Sequence, residues 1–309
     1  MTTASAPGKI ILFGEHAVVY GRPALAVPVT QVPTDVDVTD SLHAGIQVDA
    51  PQVGLHGELR ALPLTHPLRV VVENVFRALN ISALPYLSIN IRSTIPVASG
   101  LGSGAAVSVA LIRALSAHFG HPLEDERVNA LAYEIEKLHH GTPSGIDNTV
   151  ITYARPVFFI RGEPIETFQP GTAFTIVIGD TGVPALTKTS VGDVRRLWEA
   201  DKKRWEKTFT RVEKLTQQAT IAIETGRLNR LGALMDQNHA LLQAMTVSSP
   251  ELDRLVLMAR AAGAEGAKLS GGGRGGNMIA LVKPEKAAQV ASALMAAGAR
   301  STITTTIQP

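Results

Sequence analysis

The sequence predicts a mixed α/β protein of two domains, and three observations carry that expectation. The chain has 309 residues, more than one compact core usually holds. A strand-like run, Leu87 to Arg92, leads through a proline and three closely spaced glycines into an Ala-rich segment of helical period. In the second half, short apolar runs alternate with longer helical patterns, which reads as a sheet covered by helices. The Pro- and Gly-containing stretch 164–171 is the natural boundary, giving domains 1–168 and 169–309.

Composition sets the outer bounds. The chain is 45% hydrophobic, ample for a sizeable core, and its formal net charge of +2 offers no basic field for nucleic acid. It has no cysteine, which excludes disulfides, thiolate metal sites and thiol nucleophiles. The first residues carry no apolar run of signal-peptide length, and no stretch approaches the roughly 20 apolar residues that span a bilayer. A cytoplasmic protein that contacts neither membrane nor nucleic acid is expected.

In order, Lys9 to Val29 reads as strands around turns. Ile10 to Phe13 form a buried run, Gly14-Glu15-His16 interrupts it, Ala17 to Tyr20 resumes it, and Ala24 to Val29 follows the Gly21-Arg22-Pro23 turn. Lys9, Glu15 and His16 read most simply as strand ends facing solvent. Thr34 to Leu59 suggests antiparallel strands, with Val36 and Val38 on one face. Leu68 to Leu79 has a helical stripe of Leu68, Val71, Val72, Val75 and Leu79. A helix opening at Pro122 buries Val128, Leu131, Ile135 and Leu138, with Glu136 read as a solvated neighbour of Lys137. His139 to Asn148 reads as a polar loop, where Asp147 suits a turn or a cap. Strands at Val157 to Ile160 and Phe174 to Gly179 follow. A long helical region, Gly192 to Glu224, is broken at most once and puts both tryptophans in its apolar stripe. Helices at Leu228 to Met245, Pro250 to Ala262 and Pro284 to Ala296 alternate with strands at Ala267 to Ser270, Asn277 to Val282 and Thr302 to Ile307.

Two glycine clusters stand out. In the first, Gly100, Gly102 and Gly104 let backbone N–H groups turn toward one point, just where a helix begins near Ser103. The unpaired N–H groups and the positive end of that helix suit an anion, usually phosphate; the alternative is a tight strand-to-helix turn with no ligand. No Gly-Lys-Ser/Thr follows, so it is not a Walker loop, and the third glycine falls one residue early for the dinucleotide fingerprint. The second cluster, Gly271-Gly272-Gly273-Arg274-Gly275-Gly276, is too dense for a strand interior and returns at once to a strand. That pattern fits a loop lying close against a ligand or another backbone.

Three signatures now stand together: Ala6 to Gly21 with its Gly14-Glu15-His16, Pro96 to Ala106, and Lys268 to Gly273. In order and spacing they resemble the GHMP small-molecule kinases. Gly-Glu-His-Ala-Val-Val-Tyr-Gly and His140-Gly-Thr-Pro-Ser-Gly-Ile-Asp147-Asn resemble the branch that phosphorylates mevalonate. The resemblance implies an N-terminal ribosomal-protein-S5-like α/β domain and a C-terminal ferredoxin-like α+β domain. It implies ATP and Mg²⁺ as cofactors and mevalonate as acceptor, and it admits a homodimer. By the same resemblance, Pro96, Ala98, Ser99, Gly100, Leu101, Gly102, Ser103 and Gly104 hold the ATP phosphates. Asp147, Lys9 and Thr187 are catalytic. Glu15, His16, Asp147, Gly272 and Gly273 meet the substrate, and Glu136 and Ser103 meet the metal. Another GHMP kinase, acting on phosphomevalonate or a sugar, or a catalytically silent metabolite-binding relative, is the alternative.

The chain departs from the family pattern twice. Gly104 stands where the family has a second serine that helps hold Mg²⁺, and Arg274 stands where it has a glycine. Arg274 is expected either to reach a phosphate oxygen or to point into solvent.

Overall fold

The computed structural model describes residues 1–96, 99–140, 143–185 and 187–309, the side chains of His139 and His140 aside. The chain divides into two compact units: residues 1–8, 32–97 and 102–154 form the first, and residues 9–31, 98–101 and 155–309 the second.

The first unit holds the start of β1 (Thr2–Phe13), the end of β2 (Ala24–Asp40), β3 (Ile46–Ala50), β4 (Leu55–Glu58), α1 (Pro67–Ala78), β5 (Leu87–Ser93), α2 (Ser103–His118), α3 (Asp125–His140) and α4 (Ile146–Tyr153). Its sheet runs β4-β3-β5-β2, with β3 parallel to β5 and the other pairs antiparallel. Val36 and Val38 are both buried, as their shared face required. Helices α2, α3 and α4 pack on one another. The Arg113 guanidinium joins all three, donating to Asp125 and to the Thr152 carbonyl, each at 2.6 Å.

The second unit holds the rest of β1 and β2, then β6 (Val157–Phe159), β7 (Glu166–Thr167), β8 (Phe174–Asp180), α5 (Thr187–Ala200), α6 (Lys202–Glu224), α7 (Leu231–Ala244), α8 (Pro250–Ala261), β9 (Gly266–Leu269), β10 (Asn277–Val282), α9 (Ala287–Ala296) and β11 (Ser301–Ile307). Four antiparallel strands in the order β11-β8-β10-β9 form its sheet, and α7, α8 and α9 pack on it. Every residue of β8, β9 and β10 is buried, so these runs show no alternation.

Several local expectations are corrected. Ala17–Tyr20 is a single 3₁₀ turn rather than a strand, because the backbone reverses at Gly14 and His16 before Val18 and Val19 can pair. The helix expected from Pro122 begins at Asp125, and Leu138 is exposed rather than buried. The stretch read as one polar loop ends in helix α4. Its Ile, Thr and Val residues are weak helix formers, and packing of Ile146, Val150 and Ile151 overrides that propensity. The long helical region begins at Thr187 and breaks at Asp201, whose side chain caps α6 by accepting from the Arg204 N–H. Trp205 is buried, whereas Trp198 is half-buried and donates to Glu206.

Candidate active site

The second unit gathers most of the expected residues. Strand β1 ends at Phe13, and the chain turns at Gly14, whose φ is 93°; a Cβ there would strike the backbone of Pro23 and Ala24. Two residues on, His16 has φ 62°. A sparsely populated backbone conformation with positive φ at a residue other than glycine costs about 1–3 kcal/mol and persists only where its surroundings fix it. Here the Ala17 N–H donates to the Glu15 carbonyl at 2.7 Å, and the Val19 N–H to the His16 carbonyl at 3.1 Å. Lys9, Glu15 and His16 are 4%, 1% and 4% exposed, so the simple expectation of solvent-facing strand ends is overturned.

Glu15 is held on both carboxylate oxygens. Lys268 of β9 donates to Oε1, and Asn238 of α7 donates to Oε2 at 3.1 Å. Lys268 also donates to the Leu269 carbonyl at 2.7 Å. Lys268 has no exposed surface; burial pushes its pKa down, and the Glu15 charge works against that shift.

The His16 Nε2 lies 3.1 Å from the Gly272 carbonyl. Burial, with the Arg274 charge adding to it against the pull of that hydrogen bond, lowers the imidazole pKa to about 4, so the ring is neutral near pH 7. A carbonyl only accepts, so Nε2 carries the proton and Nδ1 is a bare acceptor. Nδ1 has no partner among the described residues. It suits a hydroxyl donor and would repel a carboxylate.

The second glycine cluster lies against other backbone, as its density suggested. A Cβ on Gly273 would fall on the Val247 carbonyl oxygen, and one on Gly272 would sit 2.7 Å from the Thr187 Oγ1. Thr187, the first residue of α5, therefore lies directly over the loop. Arg274 takes neither expected course. Its N–H donates to the Val247 carbonyl at 2.8 Å and its Nε to the Thr246 carbonyl at 3.2 Å, while its guanidinium pairs with Asp193 of α5. That hydrogen bond holds the Asp193 carboxyl below its ordinary range. Part of the first glycine loop is here too. The Ser99 carbonyl accepts from Asn277 at 2.5 Å, and the Lys9 N–H donates to the Leu101 carbonyl at 3.0 Å. Gly100 is exposed. Ala98 lies outside the described residues.

The first unit holds the remaining candidates. Pro96 is half-buried. Gly102 caps α2 with φ 78° and has no side chain to satisfy the N–H groups of Ser103, Gly104 and Ala105, the arrangement that suits an anion. Glu136 on α3 is 4% exposed, which overturns its expected solvation, and Lys137 pairs with Glu134 instead. Asp147 lies in the first turn of α4, where the helix dipole favours a carboxylate, and is half-buried. Asn148 beside it donates to the Asn129 side chain of α3 at 2.5 Å.

No group of three or more metal-ligating side chains occurs among the described residues. Mg²⁺ does not need one, since it is usually held by one or two carboxylates together with substrate phosphates and water. The buried Glu136 carboxylate and the Ser103 hydroxyl are hard oxygen donors of the right kind. Two partners escaped sequence reasoning. Lys268 carried a signal, a charge inside an apolar strand, whereas Asn238 sits in an ordinary amphipathic helix and carried none.

Comparison with known proteins identifies the family. Residues 67–155 match the GHMP kinases N terminal domain, and residues 219–300 match the GHMP kinases C terminal domain. A mevalonate kinase of Thermococcus gammatolerans is 37% identical over 97% of this chain and 95% of its own. One of Pyrococcus abyssi is 36% identical over 98% and 95%. The solved L. major mevalonate kinase in complex with R-mevalonate superposes with a TM-score of 0.86 at 30% identity, covering 100% of this chain and 96% of that one. The chain belongs to the GHMP kinase family, in its mevalonate kinase branch.

Proposed function

We propose that the chain transfers the γ-phosphoryl group of ATP to the 5-hydroxyl of (R)-mevalonate, giving 5-phosphomevalonate and ADP on the route to isoprenoids. The observation that carries this reading is the near full-length likeness to mevalonate kinases, one of them solved with R-mevalonate. The hydroxyl oxygen attacks the γ-phosphorus, the bond to the β-phosphate oxygen breaks, and ADP leaves. Such transfer rests on positioning and charge neutralisation more than on covalent chemistry.

The residue roles are those that the family resemblance implies, and the chemistry of each residue type supports them. Backbone N–H groups from Ser99 to Gly104 hold the phosphates, with Pro96 and Ala98 completing the loop. Lys9 balances charge on the transferring group. Asp147 orients the hydroxyl and accepts its proton late, as the bond to phosphorus forms. His16 accepts a substrate hydroxyl at Nδ1, Glu15 sets its turn, and Thr187 with Gly272 and Gly273 closes the site. Mg²⁺, held by Glu136 and Ser103, would neutralise charge on the phosphates. Gly104→Ser adds a second hydroxyl and is expected to lower the Mg²⁺ concentration giving half-maximal rate; an unchanged Mg²⁺ dependence contradicts this metal assignment. Arg274, the feature that would have favoured a phosphorylated acceptor, is held by Asp193 and supports no second reading.

Cytoplasmic residence and a homodimer belong to the same reading. Among the described residues, no helix is long and apolar enough to cross a membrane. Light scattering tests the dimer. The reaction itself is tested by ADP release across mevalonate, 5-phosphomevalonate and sugars, with the product identified by mass. Turnover on mevalonate alone is expected; preference for another acceptor overturns the proposal.

A further inference from the structure

One buried charge has no part in the reaction so far described. Lys268 has no exposed surface, and its ammonium is spent on Glu15 and on the neighbouring Leu269 carbonyl. Glu15 immediately precedes His16, the strained residue whose Nδ1 is presented without a partner among the described residues. Three alternate residues of one short segment grip the same stretch of chain. Lys268 holds the Glu15 carboxylate, the Ser270 Oγ donates to the Ile11 carbonyl at 2.7 Å, and the Gly272 carbonyl accepts from the His16 Nε2 at 3.1 Å. Asn238 closes the set from α7 by taking the second Glu15 oxygen.

We propose that Lys268, supported by Asn238, is a positioning residue for the acceptor substrate: it clamps Glu15 and so fixes the turn on which His16 offers Nδ1 to a substrate hydroxyl. The inference rests on the reading of His16 as a substrate contact. Burial of an ion pair is a poor route to stability, because well-packed apolar residues of similar volume often serve as well. What the pair supplies is direction. A carboxylate held on both oxygens fixes the residue that leads into an unfavourable backbone conformation. It also compensates the Glu15 charge on the spot, so that charge does not repel an anionic acceptor.

The experiment compares Lys268→Met, the double variant Glu15→Gln with Lys268→Met, Asn238→Leu and His16→Ala in the full chain. Each is measured for kcat, KM for mevalonate, KM for ATP, and Tm. Lys268→Met is expected to raise the mevalonate KM by about tenfold or more, with the ATP KM within about twofold. The double variant removes the uncompensated charge, so it is expected to recover Tm but not the mevalonate KM. Asn238→Leu keeps the buried lysine and is expected to raise the mevalonate KM by a smaller factor, which keeps the test open if Lys268→Met does not fold. A lowered Tm with an unchanged mevalonate KM, in Lys268→Met or in Asn238→Leu when that alone folds, would make the clamp merely structural and overturn the proposal. So would recovery of both quantities in the double variant. His16→Ala separates the two levels. If it leaves the mevalonate KM unchanged, the substrate reading of His16 fails and the clamp falls with it; if it raises that KM while Lys268→Met does not, only the clamp fails.

Discussion

Two ion pairs hold the two ends of one short segment, residues 268 to 274, and they sit in opposite surroundings. Lys268 and Glu15 are 0% and 1% exposed, whereas Arg274 and Asp193 are 32% and 19% exposed. The inner pair cannot trade its partners for water, so removing one charge strands the other. The outer pair competes with solvent and salt at every moment. The same chemical bond is therefore a fixed structural constraint at one end of the loop and an adjustable tether at the other. Each pair also faces a residue with positive φ, His16 beside the inner pair and Arg274 within the outer one. Each of these conformations persists only because its surroundings hold it.

The largest effect is expected at the inner pair. Lys268→Met should lower the unfolding free energy by about 3–5 kcal/mol, read from denaturant melts at neutral pH, because Glu15 is left buried and unpaired. A loss no larger than that of a surface charge would mean that water reaches the pair. The second effect separates protons from salt. His16 and His239 both have pKa values lowered from 6.5 to about 4 by burial. The unfolded chain takes up these protons near pH 6.5 and the folded chain only near pH 4. Stability from these groups is therefore complete above pH 6.5 and falls as the pH drops from 6.5 toward 4. Chemical melts across that window should show the slope, and His16→Ala should flatten it; equal slopes in the two proteins would contradict the buried neutral imidazole. The smallest effect belongs to the outer pair. Arg274→Gly loses the tether to Asp193 but relieves a left-handed arginine, so Tm should barely move. The kinetic constants should shift within about threefold, and raising the salt should bring the wild type toward the variant. A large salt-independent loss would show that Arg274 does more than tether α5.

The sequence made the strong patterns legible and hid the rest for physical reasons. The strand Leu87–Ser93 and the helix Ser103–His118 were readable because each carries an apolar pattern of its own period. The four strands of the second sheet were readable because their short apolar runs alternate with clear helices, whereas their antiparallel order was not. Helix α4 was not, since Ile146 to Tyr153 is rich in β-branched residues that local propensity assigns elsewhere. The burial of Glu15, His16 and Glu136 was equally hidden, because a polar residue at an element's end carries no mark of what packs over it. Their family signature pointed to chemistry where their immediate neighbours pointed to solvent. The partner of Arg274 was invisible for another reason: Asp193 lies 81 residues away, and only the fold brings them together.

Phosphoryl transfer to a mevalonate hydroxyl, guided by the Asp147 carboxylate, is the reaction we propose. Its most direct test is ADP release with (R)-mevalonate by the wild type and by Asp147→Asn, with ATP affinity measured alongside. Mevalonate-dependent turnover in the wild type is expected, with kcat in the variant lower by about 100- to 10,000-fold and ATP affinity preserved. Undiminished turnover in Asp147→Asn, or a wild type that leaves mevalonate untouched, would contradict it.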